Sequence, residues 1–249
     1  MALLETDSLA KSFSGFVAVD SIDLSVEEGT VHSLIGPNGA GKTTCFNLLT
    51  GEYRPTSGSI FFDGEDITGR ASHDRPYLGI GRSYQITNLY SGMTVEENLQ
   101  TAVSVFQSNY YDMFRPPGRI AGVDERVGEL LEQLQLTDDR DTEVDALSYG
   151  DQRRLEIGMS LACDPELLLL DEPTAGMDQE ETRNTMQLIQ DLSAWYTLLL
   201  VEHDIEIVMS VSDEITVLHR GSILATGEPQ SIRDNDEVQT VYLGGEADA

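Results

Sequence analysis

The period of apolar positions changes along the chain, and the changes mark out its elements. VHSLI (residues 31–35) is a short, mostly apolar run of strand length. A glycine-rich segment follows it, and then TTCFNLLT (residues 43–50), a helix-compatible stretch that stops at Gly51. RPTSG (residues 54–58) has the Pro and Gly of a turn and introduces SIFFDG (residues 59–64), which alternates as a strand does. GIGRSY (residues 79–84) reads as another short strand, ending at Gln85. The period then lengthens. Thr94 opens TVEE, a capping box with Glu97, and Val95, Leu99, Ala102, Val103 and Phe106 follow on one helical face. Val123, Val127, Leu130, Leu131 and Leu134 repeat the pattern beyond an RPPGR turn at residues 115–119. From about Asp164 short apolar runs return in alternation with helix: LLLL (167–170), a helical stretch over 181–195, TLLLV (197–201) and EITVLH (214–219). Such an order predicts one α/β unit over residues 1–249, with a parallel core from 1–86 and 164–249 and a helical insertion over 87–163.

Composition narrows the function classes. The chain has 249 residues, with 44 Asp and Glu against 15 Lys and Arg, a formal net charge of -29. A surface of that sign repels nucleic-acid phosphates, whose binding depends on Lys and Arg displacing counterions. No nucleic-acid partner is therefore expected. The acids are spread along the chain and do not form a tail, which points to a cytosol of molar salt, where self-repulsion is screened within about 3 Å. The longest apolar runs fall far short of the roughly 20 residues that span a bilayer, and MALLETDSLAKS lacks the basic start of a secretory signal. A cytoplasmic protein is expected. Cys45 and Cys163 have neither a disulfide framework nor a metal-ligand spacing.

The chemistry concentrates at the predicted strand ends. Gly36-Pro37-Asn38-Gly39-Ala40-Gly41-Lys42-Thr43 fits G-x-x-x-x-G-K-[ST] between a strand and a helix. In such a loop glycines let backbone N–H groups turn onto phosphates, Lys42 reaches the β and γ phosphates, and the Thr43 hydroxyl is a hard ligand for Mg²⁺. The run LLLL ends in Asp171-Glu172, which delivers carboxylates to the rim where open α/β sheets bind ligands. Asp171 suits a partner of Mg²⁺, and Glu172 suits the base that orients and deprotonates an attacking water. His203 follows TLLLV to the same rim. A second polar turn, LSYGDQRR (residues 147–154), leads into a helix far downstream of a phosphate loop that is already complete.

GPNGAGKTT, Gln85, LSYGDQRRLEI, LLLLDEPTAGMD and VEHD, in that order over the whole chain, resemble the nucleotide-binding subunits of ABC transporters. VAVD, RPTSGSIFFDGEDITG, GIGRSYQITNLYSGMTVEENL and TAGM look closest to the subunit that powers branched-chain amino-acid uptake, with a urea-uptake relative second. The resemblance implies a P-loop NTPase (RecA-like) α/β core with an N-terminal antiparallel β subdomain and an inserted helical subdomain. It implies ATP and Mg²⁺ as ligands. ATP would lie on Asn38, Gly39, Ala40, Gly41, Lys42, Thr43 and Thr44, with adenine stacked on Phe13. Gln85 would sense the metal and His203 would hold the γ-phosphate. Ser148 and Gly150 would face the nucleotide of a second ATP-binding subunit, identical or related, and Asp178 would lie in the loop crossing that interface. Further implied partners are membrane permease subunits and, indirectly, an extracytoplasmic substrate-binding protein. The location implied is the inner face of the cell membrane. Two departures stand out: Tyr149 and Asp151 replace residues of the family's LSGGQ, so Asp151 is expected to point away from phosphate or pair with Arg153 or Arg154, and Met177 precedes Asp178 where the wider family more usually has Leu. A non-transport ABC ATPase of repair or translation is the alternative, disfavoured by the charge and by the lack of a long coiled-coil insertion or a second ATPase domain.

Overall fold

The computed structural model describes residues 1–83, 89–107 and 122–244; Gln85 and the RPPGR turn lie outside them. Two sheets organise the molecule. The first is antiparallel and joins β1 (Ala2–Phe13), β2 (Phe16–Ile22), β3 (Ser25–Glu27), β5 (Ser57–Phe62) and β6 (Glu65–Asp66). In the second, β4 (Val31–Ile35), β7 (Ile80–Arg82), β8 (Leu167–Asp171), β9 (Thr197–Val201), β10 (Glu214–His219) and β11 (Ser222–Gly227) run in the order β11-β10-β4-β9-β8-β7. All neighbours there are parallel except the β10–β11 edge pair. The helices are α1 (Lys42–Leu49), α2 (Val95–Gln107), α3 (Val123–Gln133), α4 (Tyr149–Ser160), α5 (Gln179–Leu192), α6 (Ile205–Val211), α7 (Pro229–Arg233) and α8 (Asp236–Gly244).

The unbroken apolar strands are apolar because both faces are covered. Leu167, Leu169, Leu199 and Val201 pack with Leu34, with Phe46 and Leu49 of α1 and with Leu4, Leu9 and Ile60 of the antiparallel sheet. Leu168, Leu170, Leu198 and Leu200 point to the other face and share a cluster with Val95, Leu99, Leu130 and Leu155 of the helical insertion. One hydrophobic cluster thus joins insertion and sheet.

The capping box at Thr94 forms as the sequence predicts: Glu97 Oε2 accepts from the Thr94 N–H at 2.9 Å, and Thr94 Oγ1 from the Glu97 N–H at 3.2 Å. Val95, Leu99 and Val103 are buried on α2, and Val123, Val127, Leu130 and Leu131 on α3. Differences are local. The helix expected over 181–195 runs from Gln179 to Leu192, because Asp178 caps it and Trp195 is left exposed beyond its end. Among the described residues, no helix is long and apolar enough to cross a membrane.

Candidate nucleotide site

Four adjacent parallel strands deliver the chemistry to one edge. β4 leads into the glycine loop, β8 ends on Asp171, β9 leads into Glu202 and His203, and β7 leads into Ser83. Two loop glycines are fixed by space. A Cβ at Gly36 would meet the Leu218 carbonyl oxygen at 2.3 Å, and one at Gly41 (φ +106) the Ala18 oxygen at 2.5 Å. Lys42 is buried, and its Nζ donates to the Gly36 carbonyl at 2.6 Å. Burial lowers its pKa, and Glu172 and Asp171 oppose that shift. A cavity of about 260 Å³ is lined by Asn38, Gly39, Ala40, Gly41, Lys42, Thr43 and Thr44, with Glu172 on its wall. Phe16 and Ala18 of β2 complete it. Phe13 is not on this wall; it stands partly exposed, edge-on to Tyr53 at 5.4 Å, with the Lys11 ammonium 5.1 Å from its ring.

Asp171 is 3 % exposed, and its Oδ1 has no hydrogen-bond partner. Burial pushes its pKa up to about 6, the neighbouring Glu172 adds to the rise, and Arg82 and Arg153 oppose it. Glu172 takes the left-handed backbone conformation (φ +46), while its N–H donates to Val201 O at 2.8 Å. A side chain other than glycine is held there against its backbone preference. His203 Nδ1 lies 3.9 Å from Glu172 Oε1 and 3.7 Å from Glu202 Oε2. Glu202 is fully buried and accepts from the Thr174 hydroxyl at 2.7 Å, which ties the segment after β8 to the end of β9.

The LSYGDQRR turn starts α4. Ser148 is its N-cap, accepting from the Asp151 N–H at 3.2 Å and donating through Oγ to Asp151 Oδ2 at 2.6 Å. Asp151 also sits 3.9 Å from Arg154 Nε, the pairing the sequence anticipates, while Arg153 turns elsewhere. Buried Arg153 donates from Nε to the Pro173 carbonyl at 3.1 Å and from Nη2 to that of Glu172 at 3.0 Å, and it pairs with Glu156 at 2.7 Å. Tyr149 donates its hydroxyl to Ala175 O at 3.1 Å. The turn therefore rests on the segment that carries Glu172, yet Ser148 and Gly150 do not line the phosphate-loop cavity of their own chain. Asp178 is exposed and caps α5, accepting from the N–H groups of Glu180 and Glu181 in a full capping box.

The family description "ABC transporter" matches residues 19–175, which hold the glycine loop, the LSYGDQRR turn and the Asp171-Glu172 strand end. The chain belongs to the ABC transporter ATP-binding family. A second description, "Branched-chain amino acid ATP-binding cassette transporter", matches residues 222–248. This ABC subunit is 42 % identical to the high-affinity branched-chain amino acid transport ATP-binding protein BraF of Pseudomonas aeruginosa, over 97 % of this chain and 98 % of BraF. It is 36 % identical to a probable branched-chain amino acid transport ATP-binding protein, LivG, of Archaeoglobus fulgidus, over 99 % and 97 % of the two chains. The solved ADP conformation of an ATP-binding cassette of an ABC transporter superposes with a TM-score of 0.85 at 31 % identity, covering 98 % of this chain and 99 % of that one. The fold of the ABC subunit is the one that the resemblance implies.

Two residues of the edge, Glu202 and Phe16, were not singled out from the sequence, and Arg153 was named there only as a candidate partner of Asp151. Arg153, Glu202 and Phe16 look ordinary in one dimension; Arg153 is one of two arginines in a helix, and Glu202 is one acid among many. A signal existed for Glu202, since it sits between the buried strand β9 and His203, where a charged residue that ends a core strand needs a partner.

Proposed function

We propose that this subunit binds and hydrolyses ATP to energise a membrane importer for branched-chain amino acids. The observation that carries this reading is the convergence of Lys42, Asp171, Glu172 and His203 on one strand edge beside the phosphate-loop cavity. The cargo class is carried over from the relatives named above. Backbone N–H groups of residues 39–44 and Lys42 hold the phosphates at the N-terminus of α1, and Phe13 takes the adenine.

Thr43, Asp171 and Gln85 are the oxygen donors assigned to Mg²⁺. Asp171 fits a divalent cation, since its buried Oδ1 has no protein partner and the charged carboxylate is destabilised without a counter-charge. When bound, the ion supplies charge neutralisation on the phosphates. Glu172 orients water and accepts its proton, and His203 beside it donates to the γ-phosphate. Ser148, Gly150 and Asp178 serve an interface with a second ATP-binding subunit, identical or related. Residues 87–163 act as a helical subdomain that passes nucleotide-driven motion to permease subunits on the inner face of the membrane, with the binding protein acting on the far side.

Glu172→Gln keeps the size of the side chain and removes the base, so hydrolysis should fall by about 10²–10⁴-fold with ATP retained in a dimer. Hydrolysis at the parental rate removes Glu172 from the base role. Pull-down from high-salt membranes followed by mass spectrometry should recover permease subunits; recovery of soluble partners alone would replace the importer with a non-transport ATPase.

A further inference from the structure

A second cavity, of about 140 Å³, lies away from the phosphate loop. It opens between the 3-10 segment Ser72–Leu78, the edge strand β7 and residues of α2 and α4. Arg75 is on its wall, 2 % exposed, and none of its three guanidinium nitrogens has a hydrogen-bond partner. The adjacent carboxylate, Asp74, lies 3.6 Å from His73. A guanidinium is a planar fork of N–H donors, and burying all of them unpaired is strongly unfavourable. Burial lowers the Arg75 pKa to about 10, which still leaves it charged at neutral pH.

The other cation on the wall is already engaged. Arg82 donates to Asn47 at 3.0 Å and to Thr50 at 2.9 Å, and pairs with Glu52 at 3.2 Å. Arg75 is therefore the cation of this wall with no hydrogen-bond partner, its charge met only at a distance by Asp74. Among the described residues the lining contains no carboxylate, in a chain with 44 acids against 15 bases. Ser72 adds a hydroxyl to the same wall, while that of Ser160 already donates to the Arg82 carbonyl at 2.9 Å.

We propose that this cleft binds one small monovalent anion, a halide or a carboxylate, through the Arg75 guanidinium. Size follows from the cavity. Valence follows from the single unpaired cation inside a molecule of net charge -29, which repels multivalent anions. An anion held there bridges the segment before β7 to the helical insertion, whose Phe106 already meets Tyr77 edge-on at 5.6 Å. It would thus fix the seam between the sheet and the helices.

Bromide is the direct probe. Crystals of the full chain grown with bromide as the sole halide should show an anomalous peak against the Arg75 guanidinium, and an empty cleft overturns the proposal. In solution, the full chain should broaden the ³⁵Cl NMR line of added chloride, and Arg75→Met should lose the Arg75 share of that broadening. Equal broadening by both proteins overturns the proposal. Acetate separates the two ligand classes: if it narrows the line of the parent alone, carboxylates enter the same fork, and if it does not, the site is for halides.

Discussion

Asp171 is placed where burial works against its own charge. Its pKa rises from an ordinary 3.8 to about 6, mainly through burial, so the folded chain holds this proton more tightly than the unfolded chain does. An unfolded carboxylate ionises near 3.8; the cost of keeping Asp171 charged in the fold therefore grows as pH rises from about 3.8 to about 6 and is complete above that. Asp171→Asn removes it. In chelator and without nucleotide, the variant should be more stable than the parent at pH 7.5 by on the order of 2–3 kcal/mol, with the advantage shrinking below pH 6. Thermal melting at pH 7.5 and pH 5 checks this; a destabilised variant at pH 7.5 would mean that Asp171 is held by partners as an anion. Residues that announce themselves by position at a strand end, such as Asp171, Glu172 and His203, were legible in the sequence. Arg153 was not, because its role is to thread buried backbone carbonyls 18 to 20 residues away, a contact with no local pattern.

At the scale of elements, the residue that caps the C-terminus of α3, Leu134, packs on α4 through a glycine. A Cβ on Gly158 of α4 would lie 2.1 Å from Leu134 Cδ1, and Leu134 is itself fully buried. Gly158→Ala should cost about 1–3 kcal/mol through overpacking. Gly128 of α3 has nothing within 4 Å of its would-be Cβ, so Gly128→Ala should instead gain about 0.5–1 kcal/mol of helix propensity. Chemical denaturation of the two variants reads the contrast, and losses of equal size would remove the packing argument. The parallel strands and the amphipathic helices were legible because each keeps one period from end to end. The long strand β1 was not. Ser8 takes φ +49, and the pairing slips between Ala2 and Leu4 and again between Leu9 and Lys11, so the buried positions Leu3, Leu4, Thr6 and Leu9 match no single period. Its antiparallel sheet followed only from the family resemblance. Helix α5 hid its start for a related reason: Asp178 was assigned to an interface, although Asp178 and Glu181 already spell a capping box.

For the whole molecule, charge is the governing quantity. A net -29 on 249 residues is a field of like charges that opposes compaction, and its range falls from about 10 Å in 0.1 M salt to about 3 Å in 1 M. The melting temperature should therefore climb with KCl from 0.1 M into the molar range, and a flat profile would detach the acidity from salt. Arg153, Glu202 and the helical insertion bind the strand edge tightly into this molecule, yet the edge itself is locally unfavourable. Asp171 is a buried acid without a partner on Oδ1, and Glu172 sits in a glycine's conformation. Selection acting on heat resistance alone would drive these two positions to asparagine and glycine within a few rounds. In the role proposed above, the Asp-Glu pair serves turnover at the expense of some durability.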